Sequence, residues 1–401
     1  MNLNKLARSI LPVLFSFPLF AQIDIDDNFA GGNVIIERIA NDTVYFSPDL
    51  TGTEGEWFYW HFSARSSTPK KWFFKATKPN LLTNLGAAYS KDAGYNWQWI
   101  DKANHLTDDL FSFTFSRKKQ VVHFSFGQPY TQKQFDRFID RYEANKHMQL
   151  ATLCQSNEGR DVEKLLISDF DREPVCKILL IGRAHACEMM TSYLLEGVIE
   201  SLLSDNSAMQ DLLKKAEIMI IPFLDKDGVE NGDQGKNRIP RDHNRDYKGK
   251  SLFSTTSTLR SEIPDWLDRK PWVGIDLHNP WIKGKGNEHI YLVGNTNPKI
   301  AKEQQKFVHI IAQTKKETFT FNEEESFLAY GESWNTGGNY EKGWPFSKWA
   351  SSFSEKGLLL TTTLEFPYAL VHQTPVTADN TRQFGKDFIH ALAEYLRQNG
   401  L

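Results

Sequence analysis

Lys177-Ile-Leu-Leu-Ile-Gly182 runs directly into Arg183-Ala-His-Ala-Cys-Glu188. Two further apolar runs end in a comparable way. Trp272-Val-Gly-Ile-Asp-Leu277 leads into His278, and Leu358-Leu-Leu-Thr-Thr-Thr-Leu364 leads into Glu365. Short runs rich in Ile, Val, Leu and Thr read as buried strands. In an open α/β sheet, ligands bind beyond the carboxyl ends of the strands. The spacing therefore predicts one sheet edge that gathers two imidazoles and two carboxylates.

That donor set suits a catalytic zinc ion with a separate general base. His185 and Glu188, three residues apart at a strand end, can converge on one ion, and His278 adds a third ligand. Three protein ligands leave a coordination position open, as catalytic zinc requires and structural zinc does not. With 11 His and 50 acidic residues, chance yields His-x-x-Asp/Glu about once or twice. His105/Asp108 and His243/Asp246 repeat the spacing without a preceding buried strand. An isolated buried histidine is ordinarily a hydrogen-bonded core residue; the strand-end position of His278 favours a ligand. A carboxylate that ends an apolar strand, as Glu365 does, is either ion-paired or functional, and spacing alone does not choose. As a base it would take a proton from water and pass it to a leaving amine.

Between these runs lies Pro222-Phe-Leu-Asp-Lys-Asp-Gly-Val-Glu-Asn-Gly-Asp-Gln-Gly-Lys-Asn-Arg-Ile-Pro-Arg-Asp-His-Asn-Arg-Asp-Tyr247. Its density of Gly, Asp and Asn predicts a long loop on the same edge. Arg238, Arg241 and Arg245 lie within it. One could grip a substrate carboxylate through two hydrogen bonds and another could stabilise an oxyanion.

The rest of the chain frames this region. From Asn28 to Pro129, runs such as Trp57-Phe-Tyr-Trp-His-Phe62 and Val121-Val-His-Phe-Ser-Phe126 alternate apolar and polar residues, which predicts an antiparallel β-sandwich over about 22–140. Tyr130–Tyr142 reads as a connecting helix. From about 150 to 401, strand and helix signals alternate, which predicts a mixed-sheet α/β catalytic domain. The 401 residues suffice for two cores. The net charge of −3, without a basic block, argues against nucleic acid as a partner. Residues 1–21 combine Lys5 and Arg8 with a short, proline-interrupted apolar run ending at Ala21. They read as a signal peptide, which implies a secreted or periplasmic protein with no membrane span in the mature chain, or a cytoplasmic one if the segment is retained. Cys154, Cys176 and Cys187 read as free thiols, with Cys187 a space-filling neighbour of the metal motif. Oligomeric state leaves no signal in the sequence.

Taken together, these motifs resemble the zinc carboxypeptidase family, the relatives of carboxypeptidase A. Within it, the chain is similar to the cytosolic carboxypeptidase branch, which includes tubulin deglutamylases and bacterial homologues. Pro222-Phe-Leu-Asp-Lys-Asp-Gly-Val229 is close to the branch's Pro-x-Leu-Asn-Pro-Asp-Gly-Val, and Pro129-Tyr-Thr131 matches the end of its N-terminal sandwich. The resemblance implies one zinc ion on His185, Glu188 and His278, and Glu365 as the catalytic base. It implies that Asn244 and Arg245 hold the terminal carboxylate of a peptide or protein substrate, and that Arg183 precedes the metal motif. Ala186-Cys187 stands where the branch has Pro-Gly. The column of the oxyanion-stabilising arginine falls near Gly235, so Arg238 takes that role here, with Lys236 and Arg241 next in line. The tyrosine that closes over substrate is out of register in Thr336-Gly-Gly-Asn-Tyr340, and Lys342 is the candidate for selecting acidic side chains. The implied activity is zinc-dependent removal of C-terminal residues. An aspartoacylase-like deacylase or a peptidoglycan stem-peptide hydrolase is the enzymatic alternative, and a non-catalytic binding module the other.

Overall fold

In the larger sheet, apolar residues of adjacent strands sort by parity. Ile178, Leu180, Ile218, Ile220, Val273, Ile275, Leu277 and Leu364 join one apolar cluster, whereas Leu179, Ile181, Met219, Ile221 and Trp272 join another. Successive strand residues face opposite sides of a sheet, so each run is buried on both faces. This explains why the runs are continuously apolar. The computed structural model describes residues 22–314 and 318–401; the predicted signal peptide lies outside them. Among the described residues, no helix is long and apolar enough to cross a membrane.

The larger sheet has eight strands. At its centre Ala216–Ile221, Cys176–Gly182, Trp272–His278 and Leu358–Glu365 run parallel in that order. Asp161–Ile167 and Met148–Gln155 extend one edge antiparallel, and Tyr291–Val293 flanks the other. After Cys176–Gly182 the chain continues to Ala216–Ile221 on one side and then crosses to Trp272–His278 on the other. The loop beyond Gly182 therefore sits at the point where strand order reverses, where such sheets bind ligands. Two helices, Met190–Leu202 and Ala378–Gln398, cover one face. They touch backbone to backbone, since a Cβ on Gly197 would lie 1.9 Å from the Arg382 carbonyl oxygen and one on Gly385 would lie 2.1 Å from that of Leu194.

The N-terminal part forms two five-stranded sheets. Phe46, Phe74 and Phe111 of one sheet pack on Phe62 and Phe124 of the other, with ring centroids 4.8–5.8 Å apart for the Phe46–Phe62, Phe62–Phe74, Phe74–Phe124 and Phe111–Phe124 pairs. Pairing is antiparallel apart from Thr43–Ser47 beside Lys70–Ala76, which is parallel. The connecting helix is Gln132–Ile139, begun by a reciprocal cap between Thr131 and Gln134.

Two sequence expectations shift. The run Trp57–Phe62 joins a strand only from His61. Upstream of it, the buried Tyr59 exchanges both backbone hydrogen bonds with a side chain, its N–H donating to Gln234 Oε1 at 2.8 Å and its C=O accepting from Gln234 Nε2 at 2.8 Å. The segment 222–247 is also not loop throughout. Asp225 caps the helix Lys226–Asn231 by accepting from the Gly228 N–H, and Gly232 ends it at φ +78°.

Gln234 thereby acts as a surrogate strand between the two parts of the chain. Gln234→Ala unpairs two buried backbone groups of Tyr59, each worth about 1–3 kcal/mol. The substitution is expected to lower unfolding stability by roughly 2–4 kcal/mol in a urea titration. A midpoint unchanged from wild type would contradict the role of this clamp.

Candidate active site

Arg183 leaves its strand in the left-handed region, at φ +58°. Its buried guanidinium donates to the Tyr130 carbonyl at 2.8 Å, to Ser192 Oγ at 3.1 Å and, from Nε, to the Ala186 carbonyl at 3.1 Å. These bonds fold residues 183–189 into a tight turn, in which the Glu188 N–H donates to the His185 carbonyl. His185 and Glu188 consequently share one side of the turn. Cys187 points elsewhere, with Sγ 3.7 Å from the Tyr368 hydroxyl, and burial pushes its thiol up to about 12. All three cysteines are free.

The third member arrives by strand register. Leu277 belongs to the apolar cluster on one face, so Asp276 and His278 face the other. The ladder pairs His278 with Glu365 and Asp276 with Thr363, which sets Glu365 beside His278. The Asn279 side chain then ties the strand ends together. It accepts from the Met190 N–H at 3.1 Å, at the start of the following helix, and donates to the Phe366 carbonyl.

The donor atoms of His185, Glu188 and His278 all lie within 4.8 Å of one another. Glu188 Oε1 is 2.9 Å from His185 Nδ1, Glu188 Oε2 is 2.8 Å from His278 Nδ1, and the two Nδ1 atoms are 3.2 Å apart. Glu188 is fully buried. Burial alone would raise its carboxyl, but Lys236, with Nζ 2.7 Å from Oε1, and the two imidazoles hold it well below the ordinary range. Its Oε2 faces His278 Nδ1 at 2.8 Å without hydrogen-bond geometry. An anionic carboxylate and two imidazole nitrogens converging on one buried point form a donor set that fits zinc. Asp276 Oδ2 lies 2.9 Å from His278 Nε2, and Asp242 Oδ2 stands farther off, 3.8 Å from His185 Nε2. A carboxylate as close as Asp276 favours the tautomer that presents the other ring nitrogen to a metal. Glu365 is buried, its Oε2 has no hydrogen-bond partner, and burial pushes its carboxyl up to about 7.

A cavity of about 370 Å³ opens over this cluster and is also lined by Lys236, Asn244 and Arg245. Arg245 is steadied by donating to the Asn244 carbonyl at 2.8 Å and to Asn339 Oδ1 at 2.7 Å. Arg238 does not line the cavity. Its guanidinium is held by Asp225 at 2.7 Å and Asp233 at 2.9 Å, so the oxyanion role expected of it has no geometry to support it. Arg241 is likewise tied up, 2.7 Å from Asp246. Lys342 pairs with Glu54 at 2.5 Å and is also absent from the lining. Tyr340, out of register in sequence, does line it.

Asp276 and Asp242 escaped the sequence reading, which ranks Lys236 only behind Arg238. Lys236 occupies the cavity because Gly235, at φ +73°, lets this loop lie against the metal turn; a Cβ there would sit 2.2 Å from the Ala186 nitrogen. Asp276, two residues before His278 on a strand, carried a readable signal, since i and i+2 share a face. Asp242 carried none, because its approach to His185 depends on the path of the loop.

Comparison with known proteins bears on the family and the fold. The zinc carboxypeptidase family model matches residues 136–393. Among curated proteins, cytosolic carboxypeptidase 6 of Caenorhabditis elegans is 24% identical over 290 residues, covering 66% of this chain and 62% of that protein. Human cytosolic carboxypeptidase 2 is 25% identical over 335 residues, covering 74% of this chain and 37% of that protein. Human cytosolic carboxypeptidase 6 is 27% identical over 174 residues, covering 42% of this chain and 31% of that protein. The chain thus spans less than two thirds of the length of these relatives. Among solved structures, a metallo-carboxypeptidase from Burkholderia cenocepacia superposes with a TM-score of 0.76 at 15% identity, over 94% of this chain and 100% of that one. One from Pseudomonas aeruginosa gives 0.73 at 18%, over 93% and 99%. At these identities the structural likeness is one of fold, and the family match spans more than half of the sequence. The chain belongs to the zinc carboxypeptidase family.

Proposed function

We propose that this protein is a zinc metallocarboxypeptidase that hydrolyses the C-terminal peptide bond of peptides or proteins. The observation that carries this reading is a single cavity lined by His185 and His278 of the metal-type cluster, by Glu365, and by Asn244 and Arg245. His185, Glu188 and His278 would hold one zinc ion, which supplies Lewis acidity toward the scissile carbonyl and lowers the pKa of water.

The chain's own groups perform the remaining work. Arg245 and Asn244 receive the substrate's terminal carboxylate. The guanidinium keeps donors to spare beyond its bonds to Asn244 and Asn339, and Asn244 lines the same cavity, where its Nδ2–H can donate to a carboxylate. Glu365 accepts a proton from the attacking water and returns it to the leaving amine. Lys236 would replace Arg238 as the cation facing the carbonyl oxygen, because it lines the cavity and its ammonium sits 2.7 Å from Glu188 at the metal-type cluster. Residues 1–21 support export. Sequencing the N-terminus of the mature protein tests this, with a start at Gln22 expected and an intact Met1 placing the protein in the cytoplasm.

Glu365→Gln is expected to reduce kcat by about 10²–10⁴-fold while zinc stoichiometry, measured by mass spectrometry of the metal, stays that of wild type. Retained turnover would remove Glu365 as the base. In the wild type, kcat/KM is expected to fall as pH drops and Glu365 takes up a proton. The midpoint is expected at or below the value of about 7 given by burial, since a nearby cation favours the carboxylate. Arg245→Met is expected to cost roughly 100-fold in kcat/KM on peptides, mainly through KM. An unchanged KM would move the carboxylate site elsewhere.

A further inference from the structure

The charge-bearing residues that line the cavity are His185, His278, Glu365, Lys236, Asp242 and Arg245. Each already has a commitment. The imidazoles and Glu365 stand at the metal cluster, and Lys236 is ion-paired with Glu188. Asp242 Oδ2 accepts the Asn237 N–H at 3.0 Å and stands 3.8 Å from His185 Nε2, while its Oδ1 makes no hydrogen bond. Arg245 is the carboxylate clamp of the proposed function, on which this inference rests. A substrate's last side chain must sit between the base and that clamp. The wall there continues from Glu365 along its own strand, where Thr363 shares its face and pairs with Val293. Gly294, Asn295, Pro345 and Ser347 line the same cavity, with Asn295 Nδ2 3.5 Å from the Ser347 carbonyl.

This wall contains no charge. The Asn295 amide is also engaged, donating to Ser351 Oγ at 2.7 Å and accepting from the Asn297 N–H at 2.9 Å. The nearby Lys348 does not line the cavity; its ammonium donates to Thr296 Oγ1 at 2.8 Å and lies 5.6 Å from the ring centroid of the lining Tyr340. The hydroxyls of Thr363 and Ser347 and the apolar surface of Val293 and Pro345 are what remain. We infer that the pocket for the substrate's C-terminal side chain selects an uncharged residue and rejects both acidic and basic ones. A carboxylate or ammonium placed there would lose its water and gain no counter-charge, which is among the costliest exchanges in a protein interior.

The test uses the full-length, zinc-loaded protein and peptides identical except for the last residue: Leu, Phe, Gln and Thr against Glu, Asp, Lys and Arg. The expected kcat/KM is at least about 100-fold higher for the uncharged set. Ser347→Arg, with fold checked by circular dichroism and zinc content confirmed, is expected to shift the Glu-to-Leu ratio toward Glu by at least about tenfold. Preference for Glu, Asp, Lys or Arg in the wild type, or an unchanged ratio in a folded Ser347→Arg variant, overturns the inference. Absence of cleavage from every peptide would count against the carboxypeptidase reading instead. In that event calorimetry with the free amino acids still decides the pocket. Tighter binding of leucine and glutamine than of glutamate and lysine supports the inference, and the reverse order or no binding overturns it.

Discussion

The Glu188 carboxylate is the constraint around which the molecule is organised. It is fully buried, and an isolated ionised carboxylate in such a place would cost many kcal/mol. The fold answers with His185 Nδ1, His278 Nδ1 and Lys236 Nζ, all within 2.9 Å of its oxygens. Each arrives by a different route: a three-residue turn, a strand end and a glycine-hinged loop. Removing any one weakens the compensation of a buried charge, so the cluster demands that all three routes be accurate. A metal ion at the same point satisfies the two facing imidazole nitrogens and the carboxylate together.

Those routes depend on more distant packing. Arg183 shapes the turn through carbonyls from two segments. The ladder between Trp272–His278 and Leu358–Glu365 sets His278 against Glu365. The sandwich matters as much. Besides the Tyr59–Gln234 clamp, the Glu54 N–H donates to the Asn237 carbonyl and the Ile239 N–H to that of Gly52, so the loop bearing Lys236 is braced on both sides. Trp57 of the sandwich lines the cavity itself. One apolar cluster also runs without a break from Phe62 and Phe124 into Ile178 and Leu180. The N-terminal sheets are therefore structural members of the site, not a tethered accessory.

Much of this was legible in sequence wherever the signal was local and periodic. The three apolar runs had to be strands because their lengths and β-branched content allow little else, and their end residues had to meet because parallel strands end at one edge. The helix Lys226–Asn231 was legible in principle from Asp225 and Gly232, yet the polar composition of the segment masked it. The direction of Arg238 was hidden for a different reason. Arg238 and Lys236 lie two residues apart in a loop, where no period ties position to direction. Only the acidic partners Asp225 and Asp233, with Gly235, decide that arginine turns away and lysine turns in. Tyr340 illustrates the same limit, since a short helical turn, Gly337–Tyr340, carries it to the cavity from an unaligned position.

The account stands or falls on recognition of a free C-terminal carboxylate next to a metal-activated attack. The most direct measurement incubates zinc-loaded protein with matched pairs of peptides carrying free and amidated C-termini, followed by intact-mass spectrometry. Loss of single residues from the free acids, with the amides untouched, is the predicted result. Equal cleavage of both forms, or internal cleavage of either, would contradict it.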